Sequence, residues 1–461
     1  MATENVSLEC LPDELLSYIV LHLSTIRSHE TQSAAFKQKD TEKRRQRENR
    51  LRQLSLHSLC LTSHHFNRVA TPILYASFTG STTRHGIVPL RLFRRTSAEI
   101  NSSNGKKYVG YLQYVENRLA DYLGNDLVED ALHPDATNMV VEYFSLLAEI
   151  INSAPNLQHL SVISLENDKL AFWKYIVHEQ PSASTHSFAF AAEHGFRKLE
   201  VLSVQTNIAA YQATKEAYFQ GICSAAASLP SLSDFRFSRP AWNIVQQTAA
   251  NLGHFKTLQR IEMTKCSLKV HVVAEVLSAC EGLRHIVCKW DTLYCVHETP
   301  LDLRPALLRH SNTLETLVLD FRRCRWDFYH MTFKEIGSFR QLERLEALTV
   351  SKMGFTGGDW FSNPEEYLEK LSELNLVDLL PTGLKKLSLL LDEADFELDP
   401  DALDDVPELR PLPGACKSSA LNLEEVTITC TCDVRGVRER IDDFAQAGVL
   451  LNVTIEPFID P

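Results

Sequence analysis

The sequence lacks a hydrophobic run long enough to cross a bilayer, which takes about 20 consecutive apolar residues. Its most apolar early stretch, Leu15 to Leu23, is short and is interrupted by Ser17, Tyr18 and His22. The opening MATENVSLEC has neither a basic segment nor an apolar core before a small-residue cleavage site, so no secretory leader is expected. A surplus of positive charge is also missing. Lys and Arg number 47 against 59 Asp and Glu, a net −12, which argues against a general nucleic-acid binder because phosphates need basic partners. The eleven cysteines form no regular framework, and an odd count without a leader reads as reduced thiols. The cytoplasm or nucleus is the expected compartment, with neither membrane nor nucleic acid as a partner.

Catalytic signatures are absent as well. The segment NSSNGKKY has the Gly105-Lys106 pair of a phosphate loop but not the earlier glycine that would cradle the phosphate. There is no G-x-S-x-G elbow and no H-E-x-x-H pair. Cys430 and Cys432 have no second pair at metal-ligand spacing, so core packing is the expected role. His64-His65 stands among apolar residues and reads as surface or packing. No enzyme activity, cofactor or metal is expected, and function is expected to come from surfaces.

What is present is an ordinary globular composition, 44% apolar and 23% charged, with a helix start near the N-terminus. Pro12 suits a first helical turn, and Asp13 and Glu14 fall where the helix dipole favours acids. Leu15, Leu16, Ile19, Val20 and Leu23 then follow a 3.6-residue period. A second apolar pattern is anchored by Leu56, Leu59, Phe66, Val69 and Leu74, and Pro72 is expected to end or break the helix that holds Phe66 and Val69. The intervening residues 25–53 are polar, and residues 37–52 hold eight basic and three acidic side chains. Such a segment reads as a solvated helical extension or a mobile insertion. Its sharper reading is a nuclear-import patch or a contact with an acidic partner.

Taken together, Leu11-Pro12-x-Glu14-Leu15, Ile19, Leu23, Leu56-x-x-Leu59-x-Leu61-x-Ser63-x-x-Phe66 and Pro72-x-x-Tyr75 resemble the F-box. The insertion separates the two halves more than in the usual motif, and Phe66 stands where the family often has Trp. The resemblance implies a helical motif that docks the Skp adaptor of cullin–RING ubiquitin ligases. Carried over, Leu11, Pro12, Leu15, Ile19 and Leu23 would supply adaptor-facing surface, with Leu59, Leu61 and Phe66 completing the packing. An ordinary helical cap would bury the same residues.

The rest of the chain repeats the phrase Leu-x-x-aliphatic-x-aliphatic. It occurs as Leu157/Leu160/Val162, Leu199/Leu202/Val204, Leu232/Phe235/Phe237, Leu258/Ile261/Met263 and Leu283/Ile286/Cys288. It continues as Leu314/Leu317/Leu319, Leu345/Leu348/Val350, Leu384/Leu387/Leu389, Leu423/Val426/Ile428 and Leu450/Val453/Ile455, with Val109/Leu112/Tyr114 as an irregular first unit. This pattern is similar to divergent leucine-rich repeats of the fungal type that follow F-boxes. The expected fold is α/β: a helical F-box over residues 1–80, a linker with an irregular first repeat or cap over 81–150, and a leucine-rich-repeat solenoid over 151–461. A curved parallel sheet would form the concave side, with helices and loops on the convex side. Residues 166–196 and 392–415 read as loop insertions, either solvated or gripping a ligand.

If the aliphatics point inward, the residues between them face the concave sheet. Those residues include Asp234, Arg236, Arg260, Glu262, His285, Lys289, Thr316 and Asp320, then Thr349, Ser351, Ser388, Thr427, Thr429 and Thr454. Such a stripe is either merely solvated or the contact surface for a target protein, with Arg236 and Arg260 as the best-equipped anchors. The expected function is target recognition within a Skp–cullin–F-box ligase. The alternative is a ligase-independent interaction scaffold built on the repeats.

Overall fold

In the computed structural model, the described residues are 11–28, 39–98, 108–118, 134–165, 172–180, 187–207, 218–238, 252–291, 293–295, 298–326, 334–356, 375–391, 409–418, 420–430 and 435–456. The chain divides into two units, Met1–Ser238 and Arg239–Pro461.

Among the described residues, the first unit begins with the helices α1 (Asp13–Leu21), α2 (Lys39–Thr62) and α3 (His64–Leu74). Leu16 and Val20, one turn apart on α1, meet Leu56 of α2 and Val69 and Ala70 of α3 in a small core. Ser63 caps α3 by accepting from the Phe66 N–H at 3.3 Å. Pro72 does not end this helix: it lies inside α3, which runs on to Leu74 and closes where the Tyr75 N–H reaches the Thr71 carbonyl. At so late a position its ring meets an already formed turn, and only one ladder bond is lost.

A parallel sheet follows at once, in the order β1 (Ser77–Ser81), β2 (Tyr114–Arg118), β3 (His159–Leu165), β6 (Val201–Asn207), β7 (Asp234–Ser238). Strand β1 thus begins within residues 1–80, the stretch read from sequence as helical. Helices α4 (Ile87–Ala98), α5 (Pro134–Asn152) and α6 (Tyr218–Ala227) occur between strands. Buried Leu160, Val162, Leu202, Val204, Phe235 and Phe237 recur in register from β3 to β7. Three such side chains contribute roughly 5–9 kcal/mol per strand, too little to order a repeat alone, so the units are stable only as neighbours.

Residues 166–196 differ from the expected loop. Beside a short 3-10 turn, β4 (Val177–Gln180) and β5 (Ser187–Phe190) pair antiparallel, and Phe172 and Trp173 are fully buried. The aromatics of this insertion outweigh its Pro/Ser-rich character.

Among its described residues, the second unit carries seven more parallel strands. They are β8 (Arg260–Cys266), β9 (His285–Trp290), β11 (Thr316–Asp320), β13 (Ala347–Ser351), β14 (Lys386–Leu390), β15 (Glu425–Cys430) and β16 (Leu450–Ile455), paired in that order. The short strands β10 (Leu293–Cys295) and β12 (Cys324–Trp326) pair separately. Helix α7 (Val270–Ser278) buries Val272, Val273, Val276 and Leu277. Its first turn receives the buried Glu298 carboxylate, which accepts from the Val270 N–H at 3.0 Å. Of residues 392–415, 392–408 lie outside the described residues, and the remainder enters a short helix over Leu412–Lys417.

Pairing corrects the frame of the two outermost units. Val115, not Tyr114, stands opposite Leu160, so the first unit reads Leu112/Val115/Asn117. At the other end Leu451 and Val453 stand opposite Val426 and Ile428, while Leu450 is 60% exposed. Adjacent apolar residues at both places make the alternation ambiguous, and hydrogen-bond register decides it.

Candidate docking surfaces

The first surface lies on the N-terminal helices. Burial of Leu16 and Val20 turns another edge of α1 outward, where Leu15 is 53% and Ile19 47% exposed beside exposed Tyr18. Leu61, near the end of α2, is 74% exposed, and Pro12 is also exposed. Of the other residues of the motif, Leu11 and Leu23 depart from this surface. Leu11, Leu23, Leu59 and Phe66 are half-buried and pack against the internal cluster. They hold the helices together, and Pro12, Leu15, Ile19 and Leu61 stay open. Asp13 fastens α1 to α3, its carboxylate 2.7 Å from both His65 Nε2 and an Arg68 nitrogen. His65 therefore has a packing role.

The basic segment is no free extension. Arg45, inside α2, donates to both carboxylate oxygens of Glu116 on β2, at 2.6 and 3.0 Å, and to the Ile26 carbonyl at 2.8 Å. Asn49 binds both backbone groups of Ile26, Arg52 donates to the Ser24 carbonyl, and the Thr25 hydroxyl meets that of Ser77. The Ser28 N–H donates to the Tyr114 hydroxyl, which donates in turn to Glu116. Burial pushes the Glu116 carboxyl up, but Arg118 and Arg45 overcome it and hold the pKa at about 2. Burial beside that carboxylate drives the Tyr114 phenol the other way, well above its ordinary value. The polar link thus ties the helices to the first strands.

The second surface is the strand face opposite the aliphatics. In the first unit, Arg236 is buried, and its Nε and Nη2 grip the two oxygens of Asp234, two residues away on β7, at 2.8 and 2.5 Å. In the second unit, Arg260 donates to Glu262 at 2.8 Å on β8. Asp234 with Arg236 and Arg260 with Glu262 thus pair within their own strands, Arg236 through Nε and Nη2 and Arg260 through Nη2. His285 is half-buried, and Lys289 is exposed on β9 opposite Asp320 of β11. Asp320 is bound by Arg322, a residue that the repeat phrase does not reach but that strand alternation, carried two positions further, places on the same face.

Burial pushes the thiols of Cys266 and Cys280 up to about 12, and Cys288 is likewise raised well above its usual value. None is poised as the thiolate that metal binding or attack requires. Among the described residues no group of three or more His, Cys, Asp or Glu is placed to hold a metal ion, and no described helix is long and apolar enough to cross a membrane. No protein-family model matches the chain, and no curated protein matches it.

Proposed function

We propose that the chain recruits targets to a Skp–cullin–F-box ubiquitin ligase, its N-terminal helices docking the Skp adaptor and its divergent leucine-rich repeats holding a protein target. The observation that carries the reading is the double use of α1. Leu16 and Val20 fix the helix inside the protein, while Leu15 and Ile19 stay exposed where the F-box resemblance expects an adaptor. A helix serving only as a cap gains nothing from keeping those side chains in water.

In this role the protein performs no chemistry. It raises the effective concentration of a target lysine near ubiquitin activated elsewhere in the assembly. Such a subunit works in the cytoplasm or nucleus.

The test is the lifetime of a bound target in cells. Removing residues 1–78 is a poor variant, because the cut passes through β1 and leaves Glu116 without Arg45. Leu15→Ala with Ile19→Ala in the full chain keeps both. Target binding should persist and the target's lifetime should lengthen. An unchanged lifetime for every bound partner favours the ligase-independent scaffold instead.

A further inference from the structure

Two residues of the second unit, far apart in sequence, meet at the C-terminal ends of its strands. Arg322 lies just past β11 and Glu456 just past β16, yet Arg322 Nη2 reaches Glu456 Oε2 at 3.3 Å. Strands β13, β14 and β15 stand between them, so β11 and β16 are four pairing steps apart, about 19 Å in a flat sheet at ~4.8 Å per step. Both side chains follow the alternation of Asp320, on the face opposite the aliphatics. Their contact spans that face. On the three strands between them, Ser351, Leu390 and Thr429 are buried, whereas their neighbours Thr349, Ser388 and Thr427 are half-exposed.

The Arg322 guanidinium is held but not used up. Its Nε and Nη2 bind the two oxygens of Asp320 at 3.0 and 2.8 Å, and the Arg322 N–H and the Ser351 hydroxyl steady the same carboxylate. Burial pushes the Asp320 carboxyl up, but Arg322 prevails and keeps it ionised below the usual range. The other edge of the guanidinium is half-filled. Glu456 takes Nη2 alone, and Nη1 has no partner among the described residues. Glu456 is itself partly exposed, its side chain at 43%. Lys289, exposed opposite Asp320, adds its charge to that of Arg322 in holding the Asp320 carboxyl down.

We propose that the Nη1/Nη2 edge of Arg322, flanked by Lys289, is a recognition point for a carboxylate of an acidic target segment, and that Glu456 is a built-in competitor which the target displaces. The chain's own glutamate is the observation that names the ligand chemistry. A guanidinium edge binds a carboxylate best with two parallel N–H bonds, and Glu456 makes only one there. An incoming carboxylate that engages both nitrogens replaces a single exposed contact with a fork. The net charge of −12 gives an acidic partner no long-range attraction, so selection falls to this local geometry. The inference rests on reading the repeats as the target surface and is independent of the adaptor.

The test uses the purified full chain and two fluorescein-labelled peptides, one of alternating Ser and Glu and a counterpart of alternating Ser and Gln, read by fluorescence anisotropy. Glu456→Gln should tighten binding of the acidic peptide by roughly tenfold, the scale of one charge-assisted contact removed from competition. Arg322→Lys keeps the charge, loses the fork and should weaken it by about as much. The neutral peptide should bind none of the variants. Because Glu456 is partly exposed, its variant should melt with the wild type, which keeps the test independent of folding. Acidic-peptide binding that Glu456→Gln leaves unimproved, or that Arg322→Lys leaves intact, overturns the proposal, as does equal binding of both peptides. Capture of a protein target by the repeats of Arg322→Lys, together with such a failure, removes this site and leaves the receptor reading standing.

Discussion

Arg45 and Glu116, 71 residues apart, form a two-pronged ion pair that joins the basic helix α2 to the second strand of the sheet. Both side chains are largely buried. Arg118 still reaches Glu116 at 3.0 Å, so Arg45→Ala leaves that carboxylate half-paired and should destabilise the first unit by about 2 kcal/mol, while Arg45→Lys should cost less. Denaturant unfolding of the full chain checks both.

The same pair gives the acid limb of stability a definite direction. Glu116 ionises at about 2 in the folded chain against an ordinary 4.5, so the folded state holds its proton less tightly than the unfolded state. Its contribution is complete above pH 4.5 and is lost as the pH falls from there toward 2. Thermal unfolding of the wild type should therefore weaken more steeply across that window than that of Glu116→Gln.

Gly80 sits in β1 where a side chain would strike the Tyr143 hydroxyl and the Phe78 ring. That hydroxyl donates to Asn117 Oδ1 at 2.7 Å, and Asn117 in turn donates to Thr82, so the tyrosine is not free to retreat. Gly80→Ala should cost about 1–3 kcal/mol through overpacking, measured by the same unfolding assay.

His310 is buried with both ring nitrogens engaged. Nδ1 accepts from the Leu283 N–H, which requires the proton on Nε2, where it is donated to the Leu277 carbonyl at 3.1 Å. Burial lowers its pKa below 6.5, and the Leu277 carbonyl only partly offsets this. The neutral ring stabilises the fold above about pH 6.5, and that contribution is lost as the pH falls through the lowered folded value. Its NMR titration should lie below that of a free imidazole, and His310→Gln should reduce the loss of stability on mild acidification.

The inner strands were readable because Leu-x-x-aliphatic-x-aliphatic is a local pattern, and alternation alone carries Leu317 and Leu319 inward and Asp320 outward. The pattern failed at the ends, where Tyr114-Val115 and Leu450-Leu451 offer apolar residues to both faces and only pairing chooses. It also missed the buried insertion around Trp173, whose apolar neighbours Phe172, Ile176 and Val177 do not follow the Leu-x-x-aliphatic-x-aliphatic spacing. The open face of α1 was partly legible: a 3.6-residue period selects Leu15, Leu16, Ile19 and Val20 together but cannot say which pair faces the protein. Contacts such as Arg45 with Glu116 and Arg322 with Glu456 join distant segments and leave no local trace. Asp234 with Arg236 is nearer, yet spacing alone cannot tell an idle pair from a waiting one.

The most direct test is the affinity of the full chain for a purified Skp adaptor. Leu15→Asp with Ile19→Asp places two charges on the exposed edge of α1 and leaves Leu16 and Val20 in their core. Burying an unpaired charge at an interface is costly enough that binding should fall by more than a hundredfold, while thermal stability stays near that of the wild type. Calorimetric titration showing the same affinity for the double variant and the wild type, or no binding by the wild type, would contradict the assignment of these helices as the adaptor-docking surface.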